Sequence, residues 1–213
     1  MAIKKAGVLA LLAIVLFALF ILFLLLPHAL ATATLVGVES LLIRFLGLYG
    51  FIFIGITALT TPFLAGITIA FGRPFKKIHH TFAAVGIAII TLHPVFSALE
   101  LMNLDVFLPK FTSWTIFWAL AGRPALYILY IGVAAALLSR KIPKYWHIFH
   151  VLVYLVLFFG IIHANLLGED FANLGIRLAL DGIFVASMVG LVYKRYKIYQ
   201  AIKRMLLLKK TKS

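Results

Sequence analysis

From Ala6 to Leu26 the chain runs without a charged or hydrogen-bonding side chain. At 1.5 Å per residue a run of this length covers the roughly 30 Å hydrocarbon core of a bilayer. In that medium every backbone N–H and C=O must find its partner within the protein, which restricts spanning segments to helices or closed barrels. Comparable apolar stretches recur along the sequence. With 64% hydrophobic residues, 12% charged residues and a mean hydropathy of +1.13 over 213 residues, the balance is that of a chain solvated by lipid. The expected fold is an all-α membrane protein, a six-transmembrane-helix bundle with spans near 6–27, 45–70, 78–101, 113–139, 145–167 and 172–193. Pro62 is placed to kink or end the second span, and Gly122-Arg123-Pro124 to divide the fourth into an interfacial piece and a crossing helix.

Charge orients the bundle. The net charge of +14 is concentrated at Lys4 and Lys5, at Arg73, Lys76 and Lys77, at Arg140, Lys141 and Lys144, and from Lys194 onward, alternating with loops that hold Glu100, Asp105, Glu169 and Asp170. By the positive-inside rule both termini face the cytoplasm, in agreement with an even number of crossings. This distribution points to membrane lipid, with no nucleic-acid partner, and to a multi-pass protein of the cell membrane. The first segment, with Ala29-Leu30-Ala31 after it, imitates a cleavable leader, but its apolar run is long enough to span and is read as a retained helix.

The absence of cysteine excludes disulfides, thiolate-held iron–sulfur clusters and covalently attached c-type haem. Six of the seven histidines fall in or near two spans: His79, His80 and His93 in the third, and His147, His150 and His163 in the fifth. A single membrane histidine serves helix–helix hydrogen bonding as readily as function. The spacing sharpens the case. His79 to His93 and His150 to His163 are steps of about 21 and 20 Å along a helix axis, so each helix offers one imidazole near each membrane face. Two cross-helix pairs follow, His79 with His150 and His93 with His163, each able to fill both axial positions of a haem iron. His80 and His147 are alternates for the inner pair, otherwise interfacial. Helix rotation favours His79 over His80, and the 13-residue step from His150 requires some helix rotation or bending.

Phe71-Gly72-Arg73-Pro74 leading into His79, His93-Pro94, and Ser139-Arg140 through Pro143 and Trp146 to His150, Tyr154 and His163 resemble the ferric reductase-like transmembrane domain family. That family includes ferric reductases, the membrane part of NADPH oxidases and the haem subunit of methionine sulfoxide reductase systems. The resemblance spans residues 41–193, between an N-terminal helix with its external loop (1–40) and a basic cytoplasmic tail (194–213). It implies two b haems, with electrons entering on the cytoplasmic side and leaving outside. The sequence holds no G-x-G-x-x-G fingerprint, so flavin is expected only on a separate flavoprotein, with a membrane quinol as the other donor. The sulfoxide reductase haem subunits share the Trp-x-x-x-His pattern of Trp146 and His150 but often lack the inner histidine of span three. An external electron acceptor completes the expected set of partners.

Arg44, Arg123 and Arg177 fall on the external half of the bundle, against the charge rule. They are candidate anchors for haem carboxylates there, as Arg73 and Arg140 are on the inner face, with snorkelling to lipid phosphate as the ordinary alternative. Asp181, one turn from Arg177, reads as an ion-pair partner or as a tuner of the pocket. The mixed basic and apolar tail reads as a helix attracted to anionic lipid or to an electron donor. The rival from another class is a transporter whose histidines conduct protons or bind a divalent ion.

Overall fold

The computed structural model describes the backbone of residues 3–31 and 35–210 and the side chains of 3–27 and 37–208. Among these residues the chain is all-helical, with no strand: α1 (Lys5–Ala31), α2 (Leu35–Thr60), α3 (Leu64–Phe71), α4 (Phe75–Glu100), α5 (Trp114–Ala119), α6 (Gly122–Leu137), α7 (Trp146–Val151), α8 (Val153–Leu167) and α9 (Leu174–Lys210). Five stretches are long and apolar enough to cross a membrane: Lys5–Pro27, Gly37–Phe71, Phe75–Glu100, Trp146–Leu167 and Leu174–Leu208. Gly122–Leu137 is apolar but shorter. The described part of the Ala29-Leu30-Ala31 signal is backbone only, and it is helical.

Helix boundaries depart from the sequence reading where a polar group is satisfied by tertiary structure. The second helix begins at Leu35, well before the expected 45, because Arg44 finds an ion-pair partner in Asp170 after α8. Gly122-Arg123-Pro124 does separate two helices, α5 and α6. The last helix is continuous to Lys210, so the basic tail extends α9 and is not a separate surface segment. Between α3 and α4, Gly72 takes the left-handed conformation (φ 60°) that a helix C-terminus favours, and Pro74 caps the next start.

Pro62 shows how one residue type propagates into packing. It has no N–H to offer the Ala58 carbonyl one turn earlier, and the chain tightens into a 3-10 turn at Thr61–Phe63. The Tyr154 hydroxyl on α8 donates to the Ala58 oxygen instead, at 3.4 Å. Tyr154→Phe is therefore expected to cost about 1 kcal/mol while leaving helical content unchanged, as read by thermal unfolding in detergent.

Interhelical contacts fix the direction of each helix. The start of α1 meets the end of α3, where Lys4 N–H donates to the Ala70 carbonyl at 3.1 Å and a Cβ on Gly7 would lie 2.4 Å from the same oxygen. At its other end Leu24 packs on Gly175 of α9. Fully buried Ile21 and Leu25, with Tyr49 donating to the Ala18 carbonyl at 2.6 Å, place α1 in the common core. Glycines carry the tight crossings, as small residues do in lipid: Gly50 against Ile90 and Gly86 against Phe53 join α2 to α4, and Gly55 against Ile183 joins α2 to α9. Thus α1, α4 and α7–α8 run one way, while α2–α3, α6 and α9 return. The bundle has a basic end, with Lys4, Arg73, Arg140 and Lys194, and an acidic end, with Glu100, Asp105 and Asp170.

Candidate paired-histidine sites

At the basic end, α4 and α7 bring His79 and His150 together, their ring centroids 6.1 Å apart at 71°. Phe75 packs on His79 at 5.3 Å and Trp146 on His150 at 5.8 Å. His80 and His147 are exposed, and His147 stacks on Trp146 at 3.6 Å. Of these four histidines, His79 and His150 are the less exposed. The chain is locally overwound at Leu152, between α7 and α8, which offsets part of the rotation deficit of the 13-residue step. There the N–H groups of Leu152 and Leu155 bond three residues back, to the carbonyls of Phe149 and Leu152. Thirteen α-helical residues fall about 140° short of four turns, and each residue of 3-10 geometry adds back about 20°.

At the acidic end, His93 of α4 and His163 of α8 line a single cavity of about 410 Å³. Its walls are largely aliphatic and aromatic, including Phe51, Ile90, Leu129 and Leu157, and its rim carries Arg44, Arg123 and Asp170. Two glycines make room for the rings. A Cβ on Gly47 of α2 would lie 3.1 Å from His93 Nδ1, and one on Gly122 of α6 would lie 2.9 Å from His163 Cδ2 and 3.1 Å from its Nε2.

Backbone carbonyls orient the imidazoles. His93 Nδ1 bonds to the Ile43 oxygen at 2.8 Å, His163 Nδ1 to the Ala119 oxygen at 2.6 Å and His150 Nδ1, more weakly, to the Gly132 oxygen at 3.5 Å. A carbonyl can only accept, so Nδ1 carries the proton in each bonded ring and Nε2 keeps its lone pair. His79 Nδ1 is buried without a partner, the Thr57 carbonyl facing it outside hydrogen-bonding geometry. The Ala119 oxygen is free for this role because of the break between α5 and α6, where Arg123 N–H bonds to Leu120 rather than Ala119.

The arginines divide by position. Arg44 lines the cavity, but its guanidinium is held by Asp170, through a short bond from Nη2 and a 2.9 Å bond from Nε, and by Glu169 at 3.3 Å. Arg123 also lines the cavity and donates to the Asp105 and Leu108 carbonyls at 2.6 and 2.9 Å, clamping the loop before α5. Arg177 lies on the exposed face of α9 and pairs with Asp181 at 3.8 Å. Asp181 also accepts from Asn165 Nδ2 at 3.0 Å, tying α8 to α9. Arg73 and Arg140 are exposed, with no ion-pair partner among the described residues.

Sequence reasoning missed Gly47, Gly122 and the three accepting carbonyls. Only the Gly122-Arg123-Pro124 break gave any signal of them. Compared with protein-family models, curated proteins and solved structures, the chain matches none.

Proposed function

We propose that this chain is a transmembrane b-type cytochrome of the ferric reductase-like kind. In this reading six crossings place both termini, and the basic end, in the cytoplasm, with α5 and α6 together completing the fourth crossing. Electrons pass from a cytoplasmic or membrane donor through two haems to an external acceptor. The observation that carries the proposal is the pairing of four imidazoles into two cross-helix sets, three of them with Nδ1 on a main-chain carbonyl and Nε2 left to ligate.

The residues fit the group. The 6.1 Å between the His79 and His150 ring centroids would leave room for one metal ion between the two imidazoles. The acidic-end cavity is of ligand-binding size and apolar, with Arg123 among the residues that line it. A haem held between two histidines supplies a one-electron iron couple whose filled coordination favours outer-sphere transfer. The protein's own part is to fix the rings. Each Nδ1–H···O=C bond locks the tautomer and raises the basicity of Nε2, while the apolar walls exclude water.

In this reading the donor is a separate flavoprotein or a quinol. A ferric chelate, a periplasmic redox partner or oxygen is the external acceptor, and the haem subunit of a periplasmic reductase system is the nearest alternative. A metal-ion transporter is favoured less, because the described residues include no group of three or more His, Cys, Asp or Glu placed to hold an ion.

Pyridine haemochrome analysis of the purified protein tests the proposal. Two haems per chain and a b-type α-band on dithionite reduction are expected, whereas colourless protein carrying stoichiometric zinc would overturn it. Within the pocket, Gly122→Val is expected to displace the His163 ring and cost the acidic-end haem, leaving about half the pigment with the bundle folded. Haem per chain beside size-exclusion behaviour checks this.

A further inference from the structure

The last helix is longer than a crossing requires. It runs for 37 residues without a proline, about 55 Å against a hydrocarbon core of roughly 30 Å. It packs on the turn after α2 through Gly190, which lies against Pro62, and through Tyr193, which stacks on Phe63 at 6.3 Å. From Arg195 to Leu206 every side chain except Gln200 is exposed, and Gln200 bonds within the helix, to the Tyr196 hydroxyl at 2.9 Å. On the topology proposed above, Tyr193, Tyr196 and Tyr199 fall at the headgroup level that tyrosine rings favour. Lys203 and Arg204 then stand about 15 Å past Tyr193, roughly a Debye length beyond the headgroups. A helix that continues unbroken from the bilayer to this point does not lie along the membrane surface.

The projecting segment has a patterned surface. Ile198, Ile202 and Met205 recur at i, i+4 and i+7, with Leu206 beside them, as one apolar stripe. Lys197 and Arg204 line one flank of it, Lys203 the other, and Arg195 stands at its membrane end. No acidic residue follows Asp181, so these cations lack the i, i+4 carboxylates that balance an ordinary solvated helix. Two copies side by side in one membrane would set like charges along the stripe against each other. Apolar anchors at this spacing suit a groove on another protein, and the single-sign flanks call for carboxylates at its rim.

We infer that residues 195–206 of α9 are a docking arm for a water-soluble protein whose face combines an apolar groove with an acidic rim. That this protein is the electron donor rests on the cytochrome reading, since the arm leaves the bundle at the basic end, where His79 and His150 meet. The cations steer the partner and fix its register, and the stripe holds it.

Two measurements test the arm without reference to haem. The chain contains no cysteine, so Met205→Cys takes a single nitroxide label. In bilayers rich in phosphatidylglycerol that label is expected to meet a water-soluble nickel chelate more often than dissolved oxygen; the reverse would place the stripe in lipid and overturn the arm. Binding is read with a flavodoxin of net negative charge as probe, on full-length protein in neutral-lipid nanodiscs. The wild type is expected to bind more weakly as salt is added, and a Lys197→Glu, Lys203→Glu, Arg204→Glu variant about tenfold or more weakly at low salt. Ile202→Ser with Met205→Ser should bind more weakly at every salt concentration. No binding by the wild type, or equal binding by the charge-reversed variant, would overturn the proposal. The donor role is read separately, from haem reduction by the same flavodoxin and by photoreduced lumiflavin, a small neutral reductant. Charge reversal is expected to slow the first and leave the second unchanged, and equal slowing of both would overturn that role. A chain without haem would defeat the cytochrome reading alone, with the label and the binding still deciding the arm.

Discussion

His163→Ala is expected to lower the haem bound per chain from two to one and to remove the outer component from a redox titration, with the inner component unmoved. The two histidine pairs lie about 20 Å apart along the helices, a distance beyond which substitutions rarely couple. The ring occupies one wall of an apolar cavity, and its loss leaves space there without breaking a helix. On the cytochrome reading, electron transfer to an external acceptor should fall much further than haem content, because the outer haem would be the station on that side. His93→Ala should reproduce the result. Full pigment with an unchanged spectrum in both variants would remove the basis for a haem at the acidic end.

The second large effect concerns stability. Asp170 and Arg44 are 6% and 15% exposed, and the pair joins the loop after α8 to the start of α2 across the cavity rim. Removing one member leaves the other charged and poorly solvated, so Asp170→Asn is expected to destabilise the protein by roughly 3 kcal/mol. Arg44→Met with Asp170→Leu should recover most of that loss, since two apolar side chains leave no unpaired charge. Thermal unfolding in detergent reads both. The same variants separate two roles for Arg44. If it mainly held a haem carboxylate, Arg44→Met would lose the outer pigment and Asp170→Asn would keep its stability.

The division between what could and could not be read from sequence follows the range of the forces involved. The all-helical class and the breaks at Pro62 and Gly122-Arg123-Pro124 are consequences of local periodicity, of backbone chemistry and of the cost of polar groups in lipid, all visible along one chain, whereas six spans were expected and five described stretches are long enough to cross. The preference for His79 and His150 over His80 and His147 as ligands came from rotation alone, and the structure adds that His80 and His147 are the more exposed. The start of α2 was misplaced because Glu39 and Arg44 depress hydropathy, while the compensating Asp170 lies 126 residues away from Arg44.

The Nδ1 acceptors of His93, His163 and His150 belong to the main chain at Ile43, Ala119 and Gly132. Any amino acid brings the same oxygen to those places, so replacing a side chain there never removes the acceptor itself. Half of what aims these rings is thus invisible to side-chain mutagenesis, and only an edit of the peptide linkage itself, such as an ester in place of an amide, would weaken the acceptor and expose it.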